Sequence, residues 1–174
     1  KTGASNWQIP LIAWEDDKVL SLKGSANLDT KGAMSDLNLD VKFPDLAIAR
    51  DRYLSGFLAP AGFPDLILSG GTQAKIKINN QQLEQLEVKL DAINVIDNKA
   101  RFTFAGLNGD LRWTQLADSV QSGFTWNNGA MYGIGLDSAK FVFNSANGSL
   151  NLAQAVPVKA LEGILRVDHF RWQP

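Results

Sequence analysis

Asp36-Leu-Asn-Leu-Asp-Val-Lys-Phe43 alternates polar and apolar side chains for eight residues without a fault. A helix needs its apolar groups three or four apart, whereas successive side chains on a strand point to opposite faces. The octapeptide therefore reads as a strand with one greasy face and one wet face. The same period returns in Ala74-Lys-Ile-Lys-Ile78 and Gln85-Leu-Glu-Val-Lys-Leu-Asp91. Shorter copies are Arg101-Phe-Thr-Phe104, Lys140-Phe-Val-Phe143 and Ser149-Leu-Asn-Leu152. Residues with turn chemistry separate these runs: Asp29-Thr-Lys-Gly32, Asn79-Asn-Gln-Gln82, Asp97-Asn98, Asn127-Asn-Gly129 and Ala146-Asn-Gly148. Half-buried strands at regular spacing, joined by short turns, predict an all-β fold, mainly an antiparallel meander.

The chain has 174 residues and a net charge of -1, from 17 Lys and Arg against 18 Asp and Glu. That length suits one β-rich domain over 1–174. The charge balance argues against a nucleic-acid partner, whose affinity comes largely from neutralised phosphates. With no cysteine there is no disulfide, thiolate metal site or cysteine nucleophile, and His169 is the single histidine. Sites needing two imidazoles are excluded, and neither a cofactor nor an enzymatic activity is expected. Residue 1 is Lys, the opening Lys1-Thr-Gly-Ala-Ser-Asn6 has no apolar run, and nowhere do 18 apolar residues follow one another. The expectation is a piece of a longer protein.

Two stretches leave the period of two. Ala49-Arg-Asp-Arg-Tyr-Leu-Ser-Gly-Phe-Leu-Ala-Pro60 places Tyr53, Leu54, Phe57 and Leu58 on one helical face before Pro60 and Gly62 stop it. This predicts one short helix near residues 50–59, with that face sealing one end of the sheet. Thr114-Gln-Leu-Ala-Asp-Ser119 reads as a single helical turn with Thr114 as its N-cap. Leu107-Asn-Gly-Asp-Leu-Arg-Trp113 and Leu161-Glu-Gly-Ile-Leu-Arg-Val167 share the form Leu-x-Gly-x-Leu-Arg-apolar, each downstream of a Leu-Asp pair. Either strands after a glycine kink look alike by chance, or the chain holds an internal repeat whose copies stack.

Tyr53-Leu-Ser-Gly-Phe-Leu-Ala-Pro60, then Phe63-Pro-Asp-Leu-Ile-Leu-Ser-Gly70, then the Leu-x-Gly-x-Leu-Arg strands, resemble the AsmA-like envelope proteins of Gram-negative bacteria. Within that group, which includes the TamB, YhdP and YdbH families, the likeness is greatest to the YdbH type and runs over roughly residues 50–172. The resemblance implies a curved, groove-like antiparallel sheet with an apolar inner face. It further implies a periplasmic location, a parent chain anchored in the inner membrane, and a part in moving phospholipid towards the outer membrane.

An acyl chain needs a continuous dry surface and no polar partner, and each methylene removed from water gains about 0.8 kcal/mol. The candidate lining follows the alternation: Leu37, Leu39, Val41 and Phe43; Ile76 and Ile78; Leu86, Val88 and Leu90; Phe102 and Phe104; Phe141 and Phe143. The competing reading is that these residues only pack against one another. Expected partners are a phospholipid or other acyl chain, neighbouring segments of the parent chain, and copies of the chain pairing edge to edge. Trp7, Trp14, Trp113, Trp126 and Trp172 support a different class, a carbohydrate-binding or adhesive β-sandwich module, and a purely structural interaction domain is a third.

Other constellations read as structural. Glu15-Asp-Asp17 and Asp36-x-Asn-x-Asp40 lack the glycine-spaced oxygen loop of a calcium site. His169 has no serine in a nucleophile-elbow setting to partner it. Gly70-Gly71 lacks a phosphate-binding lysine and reads as a turn or bulge, and Asn147-Gly-Ser149 as a turn.

Overall fold

The computed structural model describes residues 7–174; residues 1–6, read above for a leader, lie outside the described residues. The described residues form a single 14-stranded antiparallel sheet that remains open. Its strands are β1 (Trp7–Asp16), β2 (Leu20–Leu28), β3 (Met34–Phe43), β4 (Leu66–Asn79), β5 (Gln82–Asp97), β6 (Phe102–Thr114) and β7 (Val120–Trp126). They continue with β8 (Asn128–Met131), β9 (Ile134–Leu136), β10 (Ala139–Ala146), β11 (Ser149–Leu152), β12 (Val156–Ala160), β13 (Gly163–Val167) and β14 (Arg171–Trp172).

Register shows that these strands make an up-and-down meander of ten runs. Asn108 faces Thr125 and Ala105 faces Asn128, so β7 and β8 continue one register along β6 and are halves of one run. The pairs Ala139 with Trp126 and Leu136 with Gly129 join β9 and β10 in the same way. β11 with β12, and β13 with β14, are likewise broken runs. Asn127-Asn-Gly129, expected as a hairpin turn, is thus the break between β7 and β8. The hairpin lies further on, at Tyr132 and Gly133, both with positive φ.

The breaks align across the sheet as one seam. It passes the bulge at Ser69/Gly71 in β4, the irregularity after Leu90 in β5, Gly106 in β6, and the interruptions of the last four runs. Bulged strands bend and free backbone groups, which need new partners. Side chains along the seam supply them. The Asn108 carbonyl accepts from the Ala92 amide at 2.9 Å, and Asn94 accepts from the Gly106 amide at 3.0 Å while donating to Ser69 Oγ at 3.0 Å. The Trp126 indole donates to the Asp137 carbonyl at 2.9 Å.

β3 ends at this seam, and Pro44 leads the chain out of the sheet. The helical segment that follows, 46–58, is longer than expected and begins earlier, because Asp45 caps it by accepting from the Ala47 amide at 2.8 Å. It runs as α1 (Leu46–Ala49), a π-helical stretch (Arg50–Leu54) and α2 (Ser55–Leu58). Its buried residues are Leu46 and Ala49, while Phe57, expected on the sealing face, is 78% exposed. Tyr53 does reach the sheet, 6.4 Å from the Phe43 ring, and its hydroxyl donates to Asp16 at 2.7 Å. Arg52 bonds the same carboxylate at 2.9 Å, so the segment spans from β4 back to β1. Tyr53 and Arg52 together hold the Asp16 carboxyl below the usual range. Residues 115–119 form no helix; the Thr114 hydroxyl accepts from the Leu116 amide and closes a turn. Among the described residues no helix is long and apolar enough to cross a membrane.

The two Leu-x-Gly-x-Leu-Arg heptapeptides are not equivalent. Leu107–Trp113 lies inside β6, whereas Leu161 and Glu162 form the turn before β13.

Gly70 shows how tightly the seam is set. Its φ is +91, and a Cβ there would lie 2.5 Å from the Ala92 carbonyl oxygen. Gly70→Val is expected to cost about 2–4 kcal/mol from backbone strain and steric overlap, read as a lower denaturant midpoint.

A candidate apolar groove

Residues opposite each other in register share a face, so the pairing traces each face across the sheet. Leu39 lies opposite Gly24 and Ile76, Ile76 opposite Leu86, and Leu86 opposite Trp113. The next row joins Leu22, Val41, Ala74, Val88 and Leu111. Further along, Phe124 faces Phe141, and Leu150 faces Trp172. At the other edge Trp14 faces Leu22 and Trp7 faces Leu28. One side of the meander is therefore apolar from β1 to β14.

The opposite side carries a ladder of alternating charge. Lys23, Asp40, Lys75, Glu87 and Arg112 stand opposite one another in sequence across five strands. Arg112 also pairs with Asp110 at 2.6 Å, and Gln73 donates to Asp40 at 2.7 Å. Asp36 is held in the same manner, accepting from Asn27, Ser35 and the Asn80 amide. The carboxylates of Asp36-x-Asn-x-Asp40 thus serve cross-strand bonding.

The apolar side differs sharply between the two halves of the sheet. Over β6–β12 it is filled by its own side chains. Phe104 and Phe141 each lie 5.0 Å from Trp126, and Phe124 stacks on Phe141 at 5.3 Å. Trp113, Leu136, Leu150, Val156 and Val158 complete this core. Phe141 and Phe143 are only 9% and 5% exposed, and Phe104 packs against the same core. Rings on the neighbouring strands β6, β7 and β10 stack side by side and cover this part of the face, with Val156 and Val158 of β12 packed against them. Phe102 sits beyond the seam, 5.8 Å from Phe63 of the loop after the helical segment. Over β2–β5 the face is aliphatic and remains half-buried: Leu37, Leu39, Val41, Phe43, Ile76, Ile78, Leu86, Val88 and Leu90 all keep partial exposure.

Where the two halves meet, the sheet curls enough for Trp172 to lie 6.3 Å from Trp113. An open apolar cleft of about 320 Å³ forms there, lined by Leu86 and Val88 from one flank, Leu111, Arg112 and Trp113 from β6, and Leu150, Phe170 and Trp172 from the other. A larger open depression of about 650 Å³ is lined mainly by the charge ladder of Lys23, Asp40, Lys75, Glu87 and Arg112 around Leu39, Ile76 and Leu86. It takes in none of Val41, Val88 and Leu111, and so does not extend the apolar cleft. Leu86, Arg112 and Trp113 border both. Leu111, Trp113, Leu150, Phe170 and Trp172 were missing from the expected lining. The alternation within Leu107–Trp113, Ser149–Leu152 and Val167–Trp172 carried the signal, but register alone sets Leu111 and Trp113 against Val88 and Leu86, and the curl of the sheet brings Leu150, Phe170 and Trp172 to the same cleft.

All five tryptophans lie on the apolar side. Trp113 and Trp126 are buried, and their indoles donate to the Gly148 and Asp137 carbonyls. The Trp14 indole is 3.4 Å from the Tyr53 hydroxyl. His169 is exposed, and its neighbour Asp168 pairs with Arg166.

Beyond the seam the face is closed by an ion pair. Asp97 is buried and receives the Arg101 guanidinium at 2.6 and 3.0 Å and the Arg101 amide at 3.2 Å. Arg101 in turn lies 4.7 Å over the Phe63 ring and donates to the Gly62 carbonyl. The Arg101 hydrogen bonds outweigh the cost of burial and bring the Asp97 carboxyl down to about 2.

Comparison with protein-family models, with curated proteins and with solved structures returned no match to this chain.

Two measurements probe this geometry. Phe141→Ala should cost about 3–5 kcal/mol by emptying a filled core, whereas Leu39→Ala on the half-open side should cost about 1 kcal/mol. Denaturant titration of the two variants reads the contrast. A carboxyl lowered on folding stabilises the native state above its unfolded pKa of about 3.9, and the contribution disappears as pH falls towards the folded value. Stability should therefore drop between about pH 4 and pH 2, and Asp97→Asn should flatten that limb.

Proposed function

We propose that this chain is a non-enzymatic segment of a β-groove protein that holds acyl chains on its apolar side. The observation that carries the reading is the open cleft between Val88 and Trp172, continuous with the half-exposed aliphatic rows of β2–β5. A cleft of this volume is at the lower end of the range that small ligands occupy. Its walls offer contact area and hardly any hydrogen-bonding groups, which favours a hydrocarbon tail over a sugar or a nucleotide. Holding such a tail requires no reacting group, since removal of methylenes from water supplies the free energy.

The resemblance to AsmA-like proteins extends the reading. The groove would belong to a parent chain anchored in the inner membrane, cross the periplasm and pass phospholipid between inner and outer membrane. The outer sides of β1 and of β13 and β14 pair with no other strand among the described residues. In this reading they take neighbouring segments of the parent, or further copies of the chain, in edge-to-edge pairing. Pro10 and the irregularity between Ile9 and Ile12 limit such pairing along β1.

Protein purified without detergent should release phospholipid on extraction and show lipid adducts in native mass spectrometry. It should also take up a fluorescent fatty acid. Val88→Glu and Leu111→Glu, which put charge into the cleft wall, should weaken that uptake at least roughly tenfold. Wild-type protein that carries no lipid and leaves the probe's emission unchanged would defeat the reading.

A further inference from the structure

The two flanks of the apolar cleft are built differently. Leu86 and Val88 stand on β5, which has 16 residues and pairs with β4 on one side and β6 on the other. Phe170 and Trp172 belong to β14 and the residue before it, and β14 has 2 residues. Arg171 and Trp172 pair there with Asn151 and Leu150 of β11. The Leu152 amide donates to the Phe170 carbonyl at 2.9 Å, and Arg171 Nε donates to Ser149 Oγ at 3.0 Å. The outer side of β14 pairs with no strand among the described residues. A wall held by so few bonds opens at far smaller cost than the sheet as a whole.

The curl of the sheet explains where this wall stands. Val120, Ser145, Leu150 and Trp172 lie opposite one another in register. Ser145 is fully buried and accepts from the Thr114 amide at 2.9 Å. A side chain this small lets the end of β6 approach β10, and the sheet rolls until Trp172 meets Trp113. Two edge-on aromatic contacts then hold β14 inward, Trp172 at 6.3 Å from Trp113 and Phe170 at 5.8 Å from Phe143. The same two rings line the cleft opposite Leu86 and Val88. Aromatic packing, more than the backbone ladder, therefore sets the width of the cleft.

We infer that β14 is an adjustable wall, and that Trp172 makes the cleft select a single unbranched hydrocarbon chain over a fused-ring guest. The inference rests on the reading of the cleft as an acyl site. Its 320 Å³ would hold about ten groups the size of a water molecule. That is room for part of one chain and too little for two side by side. A flexible chain fits by rotating its own bonds while Trp172 stays against Trp113. A rigid ring system has no such freedom and must push Trp172 away, which strips β14 from β11. A chain that fits touches both flanks, so its binding and the docking of β14 strengthen each other.

Probe binding and hydrogen exchange test this. A linear polyene fatty acid, whose chain is itself the fluorophore, should bind the wild type at least about tenfold more tightly than a fluorescent sterol. Trp172→Ala should weaken the fatty acid and strengthen the sterol, bringing the two within about threefold of each other. Trp7→Ala, at the opposite border, should keep the wild-type preference. The Leu152 amide reports the docking of β14 directly. In the wild type it should exchange faster than the amides that join β10 to β7, and slow at least about fivefold when the fatty acid binds. Fatty acid that binds without changing Leu152 exchange overturns the adjustable wall. A Trp172→Ala variant with undiminished preference, or a wild type that prefers the sterol, overturns the selectivity. Each of these outcomes leaves the acyl reading standing. A wild type that takes up neither probe defeats that reading, and the inference with it.

Discussion

Leu39 has Gly24 on one side and Ile76 on the other, and that pairing continues through Leu86 to Trp113. A slip of one residue anywhere along the row would send Asn38 or Asp40 to the apolar side and Leu39 into water. The cost of such a slip is shared by both faces, because the opposite row runs Lys23, Asp40, Lys75, Glu87 and Arg112. Displacing one strand by a residue would take its charged side chain away from the opposite charges of the ladder as it exposed aliphatic side chains. Hydrophobic and electrostatic terms thus select the same register, and the groove exists because register keeps every apolar row on one side.

Given that register, side-chain size decides which part of the face fills itself. The rows of β3–β5 supply chiefly Leu, Val and Ile, which leave the face half-covered. The later strands supply Phe104, Phe124, Trp126, Phe141 and Phe143, whose rings stack at 5–6 Å and complete a core. The exposed area reflects this division. The chain exposes 10919 Å², against about 8,400 Å² for a compact protein of its mass. A closed sandwich of the same strands would not leave that excess.

Alternation within runs such as Asp36–Phe43 was enough to read the strands, their antiparallel order and the side each residue faces. It could not show what covers that side. Leu39 and Phe141 have the same pattern, yet one borders open space and the other is in the core, because curvature arises from many strands together. Turn chemistry succeeded at Asp29, Asn79 and Asn147 and misled at Asn127, where an Asn-Asn-Gly sequence serves a strand break. It was silent at Tyr132, where the residue type opposes the turn it occupies. The helical segment was placed by its apolar spacing, but Asp45, adjacent to Pro44, sets its start four residues earlier than that spacing indicated. The contacts of Leu46 and Ala49 with β4, not Phe57, set the face that packs.

Over β1–β5 each run bonds only to the runs before and after it in the chain, apart from the bridge that the helical segment makes to Asp16. β6 is also tied to β10 and the turn after it, by the Thr114 amide on Ser145 Oγ and the Trp113 indole on the Gly148 carbonyl. The part before β6 is close to a one-dimensional array, in which stability is a sum of nearest-neighbour terms. The two sides of that array are unequal, since β1 and β2 have no aromatic core beneath them. Opening should begin at the β1 border and proceed like a zip until it meets β6, while the aromatic half remains intact. The Asp16 contact with Arg52 and Tyr53 is then a clasp at the end of the zip, fastening the weakest border to a helical segment anchored on β4.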